Sequence, residues 1–513
     1  MPTEGACRFT RAFVARRLRF TAAAAVGSLI TSAWAATTET KGGGDWFDDS
    51  TWTNGVPIGE ATVMNGDSVQ VQRYGAGATV LFNNGTIKVQ AADPPSVGSG
   101  VLGVGQFVIG ATAQGQLVLT TGGRIASTNV VLGYTPGSSG TVNFDGLPNQ
   151  SGDRATWSNN GQFFVGASGF GPATGSMTLT QQAQMSTVNV SIGAGVSTGN
   201  VSIDRSTWNN SNLFTVGDGG PLGEFSMTGN SVLNTLTGVI GYGSGGSGTL
   251  TGTSGKASIE RATWNNAGDF HVGWYASGQL SVLDEGSITS KNGYVGYGIG
   301  SVGIANFSGA TWSNTGELIV GVYGDGRLRI NEGATVSSGV GVIGRYGLAS
   351  GSVVVDNGRW TNASDLFVGH GVTGLPDTHP AGELVVRNGG VVQSVNGYIG
   401  YGPGSSGTVE VKGLNSAGQA STWAVSAGLH VGSSGSGLLT VSDGGVVSSG
   451  ITYVGPFSPA AIVPGGGALH LDGTNGRRGV LGKPVRSSKA RAPSRLMAGC
   501  CALPPMSETF LAM

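Results

Sequence analysis

The segment Trp312-Ser313-Asn314-Thr315-Gly316-Glu317-Leu318-Ile319-Val320-Gly321 sets a tryptophan nine residues ahead of a glycine, with a valine just before that glycine. The same spacing joins Trp157 to Gly166, Trp208 to Gly217, Trp264 to Gly273, Trp360 to Gly369 and Trp423 to Gly432. A second glycine behind a hydrophobic residue follows each pair, at Gly193, Gly241, Gly296, Gly344, Gly400 and Gly455. The step between the two glycines is 23 residues for 273 to 296, 321 to 344 and 432 to 455, and also for an earlier pair at 110 and 133. Insertions lengthen it elsewhere. A chain that repeats itself every two dozen residues or so is built from stacked units, each unable to bury its apolar face alone.

The local hydrophobic period chooses the unit. In Gly326-Arg327-Leu328-Arg329-Ile330 apolar residues alternate with arginines, and Gly278 to Val282 and Gly407 to Val411 alternate in the same way. Period two is that of a strand with one face buried. Turn residues such as Asp284-Glu285-Gly286 and Asn388-Gly389-Gly390 punctuate these strands. No repeat offers a helical stripe, so the expected fold is all-β, a parallel β-helix (β-solenoid) with coils of about 24 residues. Ninety-five glycines in 513 residues and only 11 % charged residues fit a chain that turns a corner every few residues. Strict Gly-X-Y periodicity is absent, which excludes collagen. Hydrophobic residues at 39 % recurring in register exclude a disordered tract. Stacking at about 4.8 Å per coil predicts a rod on the order of 70 to 80 Å long. Columns of aromatic residues should run along it, with Tyr134, Tyr242, Tyr297 and Tyr401 each directly after a second glycine. Asn159, Asn210, Asn266, Asn314 and Asn362, two residues after a tryptophan, read as turn positions tolerant of left-handed backbone.

Ala310 to Asn314, Val320-Gly321, Gly326 to Ile330, Glu332 to Val336 and Val342 to Gly344 together resemble the repeat of autotransporter (type V secretion) passengers and PEP-CTERM-associated bacterial surface proteins. The resemblance spans roughly residues 101–475. Gly44-Asp45-Trp46-Phe47-Asp48 and Thr51 to Pro57 are similar to the start of many such mature chains. The resemblance implies a β-solenoid displayed at the cell surface, associated with the outer membrane, or released. It implies no catalytic residues.

The ends of the chain bear on export. Arg8, Arg11, Arg16, Arg17 and Arg19 precede an apolar run from Phe20 to Ile30, and Ala33-Trp34-Ala35 offers a small-x-small cleavage site, so residues 1–35 read as a signal peptide. Residues 36–100 read as an N-terminal cap with the first coils, 101–475 as the repeat solenoid, and 476–513 as a disordered, non-repeating tail. Cys7, Cys500 and Cys501 lie outside the solenoid, in keeping with passage through a narrow pore. Residues 36–475 hold 15 Lys and Arg against 26 Asp and Glu, a diffuse net −11 that argues against nucleic-acid binding. The tail is basic and shows neither the alternating strands of a translocation barrel nor a Pro-Glu-Pro motif with an apolar span. It reads as the product of a truncation or frameshift.

Motifs for chemistry are sparse. Gly195-Val196-Ser197-Thr198-Gly199 matches Gly-x-Ser-x-Gly, but a nucleophile elbow needs a strand-to-helix turn. Gly241 to Gly246, Gly339 to Gly344 and Gly369 to Gly374 match Gly-x-Gly-x-x-Gly without a following helix, and read as turns. His370, Asp377 and His379 share an insertion with Pro376 and Pro380 and read as a solvated loop rather than a metal site. No cofactor, metal or catalytic residue is expected. The function that follows is a structural or adhesive surface rod presenting loops at residues 145–155, 252–262, 370–381 and 412–421 to a host or matrix polysaccharide or protein. The alternative is a polysaccharide-active β-helix enzyme of pectate-lyase-like architecture, which requires charged residues of neighbouring coils to converge on one face.

Overall fold

A computed structural model describes residues 38–54, 56–57, 60–72, 76–91, 100–149, 152–168, 171–243, 254–371, 379–455, 466–471, 480–482, 485–487 and 497–498. The signal-peptide reading of residues 1–35 therefore lies outside the described residues. Among those described, one short 3-10 turn at Asp49–Thr51 interrupts an otherwise all-strand chain.

Each coil is written in three strands. The first is a seven-residue strand such as Asp325–Asn331, in which Gly326, Leu328 and Ile330 face inward while Asp325, Arg327 and Arg329 face out. A corner then takes one or two residues through left-handed backbone, Glu332 at φ 51° and Gly333 at φ 79° in this coil. The second strand is four residues long and carries the tryptophan in alternate coils, as in Thr311–Asn314. The third, such as Glu317–Val320, runs into the marked glycine.

Every strand pairs in parallel with its equivalent one coil away. Gly303, Gly326, Gly351 and Gly382 are direct register partners in turn, and Trp312 lies between Ile288 and Val336. Eighteen first strands, from Gly44–Asp45 to Met497–Ala498, make one continuous ladder. Its height is about 80 Å at 4.8 Å per step. The second and third strands form a thirty-one-stranded sheet, because in the early coils they are a single strand, as in Val101–Ile109 and Arg124–Leu132. Arg124–Leu132 pairs with both Thr156–Asn159 and Gln162–Ser168, which is where the strand divides. The parallel β-solenoid read from period and turns is the observed fold.

One apolar core runs from Trp46 to Leu469. Trp46 and Trp52 meet edge-to-face at 5.0 Å at its start. Further along, Trp157, Phe163, Trp208, Phe214, Trp264, Phe270 and Trp312 continue as an edge-to-face series with centroids 5.0 to 6.1 Å apart. Such pairs contribute about 0.5 to 1.5 kcal/mol each beyond burial.

The asparagines after the tryptophans differ from the sequence reading. Asn159, Asn210, Asn266, Asn314 and Asn362 are buried strand residues, and the left-handed positions lie instead at the preceding corner, for example Arg205, Arg261 and Asn357. Their amides serve the interior. Trp157 Nε1 donates to Ser127 Oγ at 2.9 Å, and the Asn159 amide donates to the same oxygen at 3.1 Å. Equivalent indole bonds reach Thr187, Thr235, Ser290, Ser338 and Ser394, always in the preceding coil, at 2.8 to 3.3 Å. Leaving a buried indole N–H without an acceptor costs free energy, and each of these six tryptophan coils sits on a hydroxyl coil that supplies one. That pairing explains why the sequence repeats over two coils.

Beyond Asn475 the described residues are the short strands Val480–Gly482, Val485–Ser487 and Met497–Ala498, each paired in parallel with its equivalent one coil earlier. The rest of 476–513, and with it the reading of that tail as disordered, lies outside the described residues.

Candidate ligand-binding groove

The outer face of the first-strand ladder is mostly small and polar. At the fifth position of successive strands stand Thr178, Ser202, Ser226, Ser258, Ser281 and Asn306, each the register partner of the next. The column then changes to Arg329, Val354, Val385 and Glu410. At the seventh position Asn331, Asp356, Arg387 and Lys412 follow one another. Charges of four adjacent coils thus meet on one stretch of one face.

A wall stands over that stretch. Residues 412–421, an insertion between the first and second strands, fold into a small self-bonded loop. Asn415 Oδ1 accepts from the backbone N–H of Gln419 at 2.9 Å and of Ala417 at 3.1 Å, and its amide donates to Gln419 Oε1 at 2.7 Å. Leu414 and Ala420 form an isolated antiparallel bridge at the loop's base. Between this wall and the sheet is a groove of about 650 Å³, lined by Arg329, Glu332, Val354, Asp356, Arg387 and Leu414 together with four asparagines. Its volume falls in the range of small-molecule sites, roughly 300 to 1,000 Å³.

The charges in the groove are not equivalent. Asp356 accepts from Arg387 Nε at 2.8 Å through one oxygen and from the Asn388 amide at 2.8 Å through the other. Glu332 accepts a hydrogen bond from Ser308. Arg329 makes no ion pair among the described residues, and the side chains of Asn331 and Asn357 make no hydrogen bond there. A carboxylate held by a guanidinium and an amide is poorly placed to take a proton from a substrate. Unpaired amides and an unpaired guanidinium are placed to bind one.

The outer face of the third-strand row is different again. His271, Tyr294, Phe367, Tyr398, His430 and Tyr453 project outward from it, with Ile319 and Val342 between Tyr294 and Phe367. Neighbouring rings stack: His271 on Tyr294 at 4.7 Å, Phe367 on Tyr398 at 4.7 Å, Tyr398 on His430 at 4.9 Å and His430 on Tyr453 at 4.7 Å. Tyr242, Tyr297 and Tyr401 flank this column, each meeting rings near a right angle. They do not stack on one another, since the coils between carry other residues. Burial pushes the His271 imidazole down to about 3 and the Tyr294 phenol up to about 12. Two coils before His271, burial raises Asp218 to about 6 against the opposing hydrogen bond from Ser191. Ser191 also lies 2.9 Å from Thr215, forming a small buried hydroxyl cluster around the carboxyl.

The residues singled out in the sequence fall into place as structure. The six tryptophans are fully buried, and their paired glycines turn the corner into the next first strand with φ between 71° and 79°. Ser197 is buried, with Oγ accepting from the Ala173 N–H at 3.1 Å, which leaves it no role as a nucleophile. Gly339 to Gly344 lies on the third-strand row, while Gly241 to Gly246 and Gly369 to Gly374 extend outside the described residues. His370 packs against Phe367 at 4.7 Å and its pKa is lowered, chiefly by burial and then by Arg345. Asp377 lies outside the described residues, and among those described no three His, Cys, Asp or Glu side chains cluster as metal ligands. Of the loops expected to be presented, 412–421 walls the groove. Most of 252–262 is the strand Ser254–Glu260 and its corner, and 372–378 lies outside the described residues. No family model, curated protein or solved structure matches the chain.

Proposed function

We propose that this chain is an exported bacterial surface or secreted β-solenoid, similar to autotransporter passengers, with a structural and adhesive display role. The observation that carries the reading is the single core shared by the stacked coils from Trp46 to Leu469, which holds loop 412–421 and its groove on a stiff frame. The basic and apolar N-terminal stretch before Ala36 supplies the export signal. In this reading the solenoid binds through its outer faces, and polar side chains such as the Asn209, Asn234 and Asn265 ladder, bonded at 2.7 and 3.0 Å, keep the intervening sheet soluble.

The convergence of Arg329, Glu332, Asp356 and Arg387 is what the alternative, a polysaccharide-active enzyme, requires. The engagement of both carboxylates favours binding over turnover in that groove. Protease treatment of intact cells expressing the chain tests the proposal: loss of the solenoid epitope before lysis is expected, and protection until lysis would overturn it.

A further inference from the structure

We propose that the groove beneath loop 412–421 binds an uncharged oligosaccharide, which deepens the adhesive reading and depends on it for the biological setting only. Four consecutive coils each contribute one asparagine, Asn331, Asn357, Asn388 and Asn415. Successive coils lie about 4.8 Å apart. Asn388 and Asn415 are fixed by Asp356 and Gln419, whereas the side-chain amides of Asn331 and Asn357 have no hydrogen-bond partner among the described residues. A primary amide offers two donors and a carbonyl with two lone pairs on one plane, which answers a pair of neighbouring sugar hydroxyls that both donate and accept.

The apolar part is equally specific. Val354 occupies a position that the six strands before that of Arg329 fill with serine, threonine or asparagine, and it is followed in the column by Val385. With Leu414 opposite, the groove has an aliphatic floor and wall for the C–H face of a sugar ring. Arg329 and Arg387 are matched in number by Glu332 and Asp356, so the lining carries no net charge. The net −11 of residues 36–475 further opposes a polyanion. A neutral, hydroxyl-rich chain suits this combination, and an acidic one does not.

The test is calorimetric titration of the purified full chain with hexamers of β-1,4-linked glucose, α-1,4-linked glucose and β-1,4-linked N-acetylglucosamine, and with a galacturonate hexamer. At least one uncharged hexamer is expected to bind. Its affinity should fall at least tenfold in Asn331→Ala/Asn357→Gly, where glycine keeps the left-handed φ of 52° at 357. Both side chains are free of partners among the described residues, so the thermal midpoint should not move, and Asn209→Ala on another face should bind as the parent does. Failure of all three uncharged hexamers, tighter binding of the galacturonate, or unchanged affinity in the double variant would overturn the assignment. None of these results bears on surface exposure of the chain, which the protease experiment reads separately.

Discussion

At the scale of single residues, a buried histidine and a half-buried aspartate on the outer face of the third-strand row pull stability in opposite directions with pH. His271 is held neutral, with its folded pKa near 3 below the ordinary 6.5. The unfolded chain therefore binds more protons through that window, and the contribution of this histidine is complete above about 6.5 and lost as pH falls toward 3. Asp218 has its folded pKa raised from 3.8 to about 6, so its neutral form favours the folded state. That contribution is present below 3.8 and is lost as pH rises through 6. Urea midpoints measured from pH 4 to 7 should separate the two. His271→Phe, which copies the ring of Phe367 in the same column, should lessen the loss of stability in acid. Asp218→Asn should raise stability at pH 7 by a few kcal/mol, about 1.4 kcal/mol for each pH unit between 3.8 and 6. A slope with pH that neither variant changes would contradict the desolvation of these two groups.

At the scale of the strand and its corner, two glycine columns close each coil. A Cβ on Gly166 would lie 1.8 Å from the Thr198 carbonyl oxygen, and one on Gly175 would lie 2.1 Å from the Gly166 nitrogen. The corner has no room for a methyl group and also requires φ of 71° at Gly166. Gly333, at φ 79° on the first corner, has nothing within 4 Å of the place a methyl group would take. Gly166→Ala should therefore cost more than about 3 kcal/mol in chemical denaturation, and Gly333→Ala only about 1 to 2 kcal/mol of left-handed strain. Equal losses would contradict the steric account. Gly166 and its equivalents in alternate coils were legible in the sequence because each stands nine residues after a tryptophan. Strand period was legible too, since Arg327 and Arg329 alternate with Leu328 and Ile330. The hydroxyl partners of the tryptophans were not, because Ser338 and its equivalents lie 21 to 30 residues from the indole in a chain full of serine and threonine. The groove was hidden for a related reason: insertions of unequal length separate Arg329, Asp356, Arg387 and Asn415, and only the strand register brings them into line.

At the scale of the whole molecule, stability is a sum over coils and their interfaces, and the alternation of tryptophan and hydroxyl coils makes the two-coil unit the natural module. Removing residues 321–368 joins Val320 to Gly369 and preserves the alternation. Removing 321–343 joins Val320 to Gly344 and sets Trp360 directly above the Trp312 coil, where Asn314 replaces the hydroxyl. The longer deletion is expected to unfold at the higher denaturant concentration, although it discards twice as much chain. The opposite order would show that the buried indole bond does not set the period.

If each unit of about 24 residues winds once and lies on the one before it, spin-label distances along the fifth-position column must grow by one strand spacing per coil. Ser202 is four register steps from Asn306, six from Val354 and eight from Glu410. With Cys7, Cys500 and Cys501 replaced by serine, pairs labelled at these positions should give distances of about 19, 29 and 38 Å, rising by about 4.8 Å for every coil. Distances that fail to grow in proportion to the number of intervening coils would contradict the solenoid.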